Sequence, residues 1–115
     1  MIEHISAVTF AVRHMGQSID FYTALGFEIF RGDTEASFST LVAGRAIVNL
    51  TVDPEYTPHW WGRTIFRVDD VDTLYDACTA QGLNPEPPRD AWWGERFFHL
   101  TDPDGHELSF AALRE

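Results

Sequence analysis

The chain has 115 residues, of which 44% are hydrophobic, enough to form a buried core without a disulfide or a structural metal. Its 18 acidic and 8 basic residues give a formal net charge of −10, which disfavours nucleic acid and anionic membranes as partners because like charges repel. No apolar run approaches the roughly 18 residues of a membrane span, and the first residues lack the pattern of a signal peptide. We therefore expect a cytoplasmic protein.

The first half of the chain predicts one strand, one helix and three further strands. Residues 5–12 alternate between two faces, which is typical of a half-buried strand. A helix is predicted over residues 16–25, because apolar side chains recur there at helical spacing and Gly26 supplies a left-handed stop. The strands that follow are predicted at 27–31, 36–42 and 45–52.

The second half repeats this order after a segment, residues 53–62, whose prolines and aromatic residues indicate a linker. A strand is predicted at 63–68, and a helix begins at Val71 and ends at Gly82. Within this helix the single cysteine, Cys78, falls at an apolar position, so we expect a small buried thiol. Two closing strands are predicted at 96–101 and 107–112, on either side of an Asp-Pro-Asp-Gly turn.

An internal repeat supports this division of the chain. Six identical pairs are each separated by 56 residues: Phe10/Phe66, Val12/Val68, Asp20/Asp76, Thr23/Thr79, Ala24/Ala80 and Gly26/Gly82. They predict an α+β fold of two β-α-β-β-β modules, residues 1–52 and 63–115. A ferredoxin-like domain has only two strands between its helices, whereas 45 residues separate Leu25 from Val71 here.

Three stretches then carry a family resemblance: "FAVRHMGQSIDFYTALGFE" at 10–28, "FRVDDVDTLYDACTAQG" at 66–82 and "WWGERFFHLTDPDGHELSFA" at 92–111. Together they resemble the vicinal oxygen chelate superfamily, which includes glyoxalase I, bleomycin resistance proteins and extradiol dioxygenases. The resemblance implies a single domain over residues 1–115, in which the two modules form a mixed sheet that encloses a cleft. It also implies a homodimer, because members of the family often form the cleft with a partner chain.

The metal-dependent members of this family carry four His or Glu ligands, on the first and last strand of each module. The matching positions here are Ala7, Asn49, Arg63 and Ser109. None offers the usual donor, and Arg63 would put a permanent cation in the place of the metal. The resemblance therefore points to the metal-independent members similar to bleomycin resistance proteins, without a cofactor. The alternative is a metal site relocated to His4, His99 or Glu107.

Strand alternation and the loops predict which side chains line the cleft. Aromatic walls with a few polar groups are typical of a small-molecule pocket. The candidate ligand-binding residues are Phe38, Asn49, Trp60, Trp61, Arg63, Arg67, Trp92, Trp93, Phe97, His99, Glu107 and Ser109. The alternative is that the charged members pair with one another and the phenylalanines pack. The net charge favours a cationic ligand, whereas inward-facing arginines would favour an anionic one.

All four tryptophans lie in two Trp-Trp-Gly tripeptides, at residues 60–62 and 92–94. The tripeptides are 32 residues apart rather than 56, so they are not copies of one another within the repeat. One lies in the predicted linker and the other in the loop after the second helix. We expect one indole of each pair to pack and the other to face the mouth of the cleft.

Three functions remain open at this level. The first is a binding protein that sequesters an aromatic or amphiphilic compound without metal. The second is an enzyme of the same fold, a lyase, isomerase or dioxygenase, with either a relocated metal or a metal-free mechanism. In the metal-free case His99 would be the general acid or base, oriented by Ser109 or Glu107, because an imidazole titrates near neutral pH. If the turn closes between Asp102 and His106, His99 lies opposite Ser109. The third is an accessory ligand-sensing or interaction domain.

Overall fold

The computed structural model of the protein describes residues 1–114. Its elements in chain order are β1 (Val8–Val12), α1 (Met15–Ala24), β2 (Glu28–Arg31), β3 (Phe38–Ala43), β4 (Ala46–Val52), β5 (Arg63–Arg67), α2 (Val71–Ala80), β6 (Arg89–Asp90), β7 (Glu95–Thr101) and β8 (Glu107–Leu113). The chain divides into two compact units, Met1–Thr57 and the residues from Pro58 onward. Each unit contains one β-α-β-β-β sequence and one four-stranded mixed sheet. The predicted α+β class is therefore confirmed.

In the first unit, β4 lies between β1 and β3, and β2 forms the far edge. β1 runs parallel to β4, and the other neighbours are antiparallel. Alternation along the strands directs apolar side chains into the core, where Tyr22 of α1 is completely buried. Its ring centroid lies 5.9 Å from that of Phe10 and 5.8 Å from that of Phe27. The helix is thus fastened to the sheet by aromatic contacts.

The second unit has the same layout, with β8 between β5 and β7 and with β6 at the far edge. The backbone N–H of Thr73 donates to Oδ1 of Asp70 at 3.1 Å, which caps the start of α2. Beneath this helix, the ring centroid of Phe98 lies 5.1 Å from that of Phe110 and 5.7 Å from that of Tyr75. These side chains form the core face of the second sheet, so the residues between them on each strand face the other way.

Three local differences from the sequence prediction bear on the site. β1 begins at Val8 rather than at residue 5, because its pairing with β4 begins there. β6 is a strand of two residues that sequence patterns did not reveal, and it pairs with Arg96 and Phe97 of β7. The second Trp-Trp-Gly tripeptide therefore lies in the turn between β6 and β7. The helices of the described chain have ten residues each, and neither qualifies as a membrane span.

Candidate functional site

The second unit contains a pocket of about 350 Å³ on the face of its sheet that points away from α2. The hollow forms because the inner strand β8 contributes two small side chains, Ser109 and Ala111, while its neighbours contribute large ones. The pocket is lined by Arg63, Ile65, Arg89, Trp93, Glu95, Phe97, His99, Ser109 and Ala111. It thus combines apolar surface with a few convergent polar groups, as small-molecule sites do.

One wall of the pocket is aromatic. The rings of Trp93 and Phe97 are stacked, with centroids 6.0 Å apart and an interplanar angle of 18°. Nε1 of Trp93 donates to Oε1 of Glu95 at 2.6 Å, and Nη2 of Arg67 donates to Oε2 of the same carboxylate at 3.4 Å. The carboxylate of Glu95 therefore holds the indole parallel to the phenyl ring, which gives the wall a flat surface.

The floor of the pocket is a hydrogen-bonded cluster of Arg63, His99 and Ser109. Nη1 of Arg63 lies 3.0 Å from Nδ1 of His99 and donates to Oγ of Ser109 at 3.2 Å and to the carbonyl oxygen of Leu108 at 3.2 Å. Oγ of Ser109 lies 2.6 Å from Nδ1 of His99. Because a guanidinium can only donate, Nδ1 must be an acceptor, and the proton of the neutral ring sits on Nε2.

Electrostatics agree with a neutral imidazole. Burial lowers the pKa of His99 below its ordinary value of 6.5, and the positive charges of Arg63 and Arg89 lower this pKa further. The carboxylates of Glu86 and Glu107 act in the opposite direction without reversing the shift. At neutral pH His99 is therefore an uncharged residue that presents one N–H donor at Nε2 and keeps Nδ1 engaged in the floor.

Arg89 is a lining residue that the sequence prediction missed. It lies opposite Phe97 in the β6–β7 pairing, and its Cζ lies 5.1 Å from the centroid of the Phe97 ring. Glu95 and Ala111 were missed as well. Glu95 is the first residue of β7, one position before the predicted strand, and Ala111 matters through its small size. The sequence Pro87-Pro88-Arg89 contains no recognisable signal of a ligand site.

The family model of the Glyoxalase/Bleomycin resistance protein/Dioxygenase superfamily matches residues 2–110. The chain belongs to this superfamily. The resemblance recognised in the sequence is thereby confirmed, while no curated protein sequence matches the chain.

Solved structures that are similar to this chain cover almost all of its length. A bleomycin resistance determinant encoded on the transposon Tn5 is 24% identical with a TM-score of 0.85, over 98% of this chain and 100% of that chain. An integron cassette protein from the mobile metagenome of the Halifax Harbour sewage outfall is 30% identical with a TM-score of 0.81, over 97% and 100%. A bleomycin-binding protein in complex with bleomycin is 23% identical with a TM-score of 0.78, over 98% and 99%.

Nine of the twelve predicted ligand-binding residues of this superfamily member fall into three groups. Those that line the pocket are Arg63, Trp93, Phe97, His99 and Ser109. Arg67 and Glu107 lie just outside and contact lining residues, since Arg67 binds Glu95 and Oε2 of Glu107 lies 3.7 Å from Nη2 of Arg63. The alternative that the charged residues pair with one another thus holds for Arg63 and Glu107. Phe38 and Asn49 lie on β3 and β4 of the first unit.

The two tryptophan pairs each contain one anchored and one projecting indole. Nε1 of Trp61 donates to Nδ1 of the buried His106 at 2.9 Å, whereas Trp60 is 69% exposed and its ring centroid lies 5.8 Å from Cζ of Arg63. In the second pair, Trp93 is held by Glu95 while Trp92 is 93% exposed. The anchored indoles are therefore Trp61 and Trp93.

The four positions that hold metal ligands elsewhere in the superfamily carry chemistry unsuited to a divalent cation. Ala7 has no donor atom, and Oδ1 of Asn49 accepts from Oγ1 of Thr40 at 2.7 Å. Arg63 is cationic, and Oγ of Ser109 is bonded to His99. Across residues 1–114, no group of three or more His, Cys, Asp or Glu side chains is arranged to hold a metal ion. These residues do not fit the metal of the superfamily.

Proposed function

We propose that the protein binds and sequesters an aromatic or amphiphilic small molecule without a metal, using the pocket of the second unit. The observation that carries this proposal is the flat Trp93–Phe97 wall, which lies beside the hollow left by the small side chains of Ser109 and Ala111 on β8. Such a wall supplies apolar contact area, and stacked aromatic rings favour flat partners. The polar groups at the floor supply orientation rather than a reactive centre.

The hydrogen bonds of the floor favour binding over catalysis. A general base at this site would need a lone pair on His99, and the only lone pair, at Nδ1, already faces both Arg63 and Ser109. A guanidinium that donates to this nitrogen opposes proton uptake by the ring. His99 is therefore best suited to donate a hydrogen bond from Nε2 to an acceptor atom of the ligand.

A metal-free enzyme is the second candidate, because Oγ of Ser109 lies only 2.6 Å from Nδ1 of His99. A serine and a histidine at this distance form the start of a nucleophilic pair. In known arrangements of this kind a further group orients the histidine and supports its positive charge. Here the neighbour is the cation of Arg63, which destabilises an imidazolium and leaves binding as the better supported function.

Superfamily membership is consistent with a binding role. One of the similar structures is a bleomycin-binding protein in complex with bleomycin, so this fold can hold a large organic ligand. The low identity of 23% transfers the fold rather than the ligand. The ligand of the present chain is instead argued from its own pocket.

We also propose that the protein forms a homodimer. Support comes from Ile65 and Leu113, which lie on the pocket face of the second sheet and are each 65% exposed. Large apolar side chains exposed on one face of a sheet favour contact with a second surface. Light scattering at micromolar concentration should give the mass of two chains. A monomer would contradict this part of the proposal.

Tryptophan emission tests the binding function directly. A panel of planar aromatic compounds is titrated against the protein and against two variants, Trp93→Ala and the matched control Trp92→Ala. Compounds that bind should quench emission of the wild type, with affinity lost by at least about tenfold in Trp93→Ala. Trp92→Ala should keep most of the affinity, because this indole is 93% exposed and does not line the pocket, although its ring meets that of Trp93 edge-on.

Two outcomes would overturn the proposal. If no compound perturbs emission, the indoles serve only the scaffold. If elemental analysis of protein purified without chelator finds one divalent ion per chain, and His99→Ala or Glu107→Ala removes that ion, the metal-independent reading is wrong.

A further inference from the structure

The pocket contains one positive charge, that of Arg89, which no carboxylate among residues 1–114 neutralises. Within the described residues, Arg89 has no carboxylate at ion-pair distance, and its guanidinium lies over the ring of Phe97. The other lining arginine, Arg63, is by contrast occupied by the floor and lies 3.7 Å from Glu107. Arg89 is thus the cation available to a ligand.

The rest of the lining leaves the pocket with a positive balance. Glu95 is the one carboxylate among the nine lining residues, and it is engaged by Trp93 and Arg67. The lining therefore contains two guanidinium groups and one carboxylate that is already hydrogen-bonded, and His99 adds a neutral donor. The positive charge of Arg89 acts on the floor of the pocket, because it contributes to the lowered pKa of His99.

We infer that the ligand is an aromatic carboxylate, whose ring lies against the Trp93–Phe97 wall and whose carboxylate pairs with Arg89. This inference rests on the proposed binding function and names its ligand class. A guanidinium binds a carboxylate in a planar, bidentate manner, and such charge-assisted hydrogen bonds are stronger than neutral ones. The Nε2 proton of His99 provides a second donor, which can form a hydrogen bond with the same carboxylate or with a substituent of the ring.

The net charge of −10 does not oppose this assignment at short range. Charges on the outer surface are screened over about 8 Å at physiological ionic strength. A guanidinium in contact with the ligand acts at a few ångströms, well within that screening distance. The local arginine therefore decides which charge the pocket accepts.

Three naphthalene probes of equal shape and different charge test the inference by calorimetry. They are 2-naphthoate, neutral 2-naphthalenemethanol and cationic 2-naphthylmethylammonium. The anion should bind the wild type about tenfold more tightly than the alcohol, and the cation should bind most weakly. Arg89→Gln should remove the preference for the anion, so that the anion and the alcohol bind this variant with similar affinity. Arg89→Lys should restore most of the preference for the anion. Arg45→Gln, in the β3–β4 turn, removes the same charge outside the pocket and is the control.

The outcomes separate this inference from the proposed function. If the alcohol binds as tightly as the anion, or if Arg89→Gln leaves the preference intact, the assignment of an aromatic carboxylate is wrong while the binding function stands. If the cation binds most tightly, the assignment is also wrong. If none of the three probes binds, both the inference and the proposed aromatic pocket fail.

Discussion

Nη1 of Arg63 lies 3.0 Å from Nδ1 of His99, so the strongest base in the pocket floor faces a permanent cation. This contact differs from the arrangement in histidine-dependent enzymes, where a carboxylate or carbonyl stabilises the charged ring. Here the neighbour stabilises the neutral ring and fixes its proton on Nε2. The relationship between these two residues is therefore the main reason to regard the site as a receptor for a ligand.

The first prediction concerns the titration of His99. Its pKa is lowered by burial and by the charge of Arg63, so the ring should titrate below 6.5 when followed by NMR. Arg63→Gln should move the midpoint upward, while Arg67→Gln, a cation outside the floor, should move it less. The resonance is assigned by its loss in His99→Gln. A midpoint at or above 6.5 in the wild type would contradict the proposed floor.

The same shift sets the sign of a stability change. Because the folded-state pKa is depressed, the unfolded chain binds a proton at His99 more readily than the folded chain. The contribution of this group to stability is fully present above pH 6.5 and is lost as pH falls through the folded-state pKa. Urea unfolding midpoints measured between pH 7 and pH 5 should therefore fall less steeply in His99→Gln than in the wild type.

The second prediction uses two neighbouring phenylalanines on β7. Phe98 is 1% exposed and packs between Phe110 and Tyr75, so Phe98→Ala should destabilise the protein by roughly 3–5 kcal/mol. Phe97→Ala, on the pocket face, should cost only about 1 kcal/mol and weaken aromatic ligands instead. Chemical denaturation and ligand titration of both variants provide the measurements. Equal losses of stability would show that the two faces have been assigned wrongly.

The third prediction concerns the anchored indole of the first tryptophan pair. Trp61→Phe removes the Nε1 donor to the buried His106 but keeps an aromatic ring, so it should destabilise the protein by about 1–2 kcal/mol. Trp60→Phe alters an indole that is 69% exposed and should change stability by less than about 0.5 kcal/mol. Denaturant unfolding of both variants tests the contrast. A larger effect from Trp60→Phe would exclude this anchoring role.

The fourth prediction concerns Cys78, the free thiol of α2. The side chain is fully buried, and burial raises its pKa, so little thiolate is available for reaction. Ellman's reagent should therefore leave the native protein unmodified over an hour and titrate one thiol per chain in urea. Rapid modification of the native protein would indicate that α2 opens from the sheet.

The sequence predicted the site where local rules apply and missed it where they do not. The prediction that His99 lies opposite Ser109 is confirmed, because the turn over residues 102–106 and strict alternation fix the register. The first helix was placed within one residue of its observed bounds, 15–24, because apolar periodicity and Gly26 define it.

Arg89 shows what the sequence could not supply. This residue belongs to a two-residue strand that follows Pro87 and Pro88, and its place opposite Phe97 depends on the register of the β6–β7 hairpin, which so short a strand does not reveal by alternation. The hollow itself depends on Ser109 and Ala111 being small while the strands beside them carry large side chains. A difference in volume between neighbouring strands appears only once the strand order is known.

That strand order also constrains how the chain is made. In each unit the last strand to leave the ribosome, β4 or β8, takes an inner position of the sheet rather than an edge. Before β8 emerges from the ribosome, β5 and β7 both lack the strand that pairs with them in the sheet, and the floor of the pocket does not exist. Folding of the second unit is therefore expected to wait until β8 has been synthesised, because its closing contact joins residues 44 positions apart, Arg63 and Glu107.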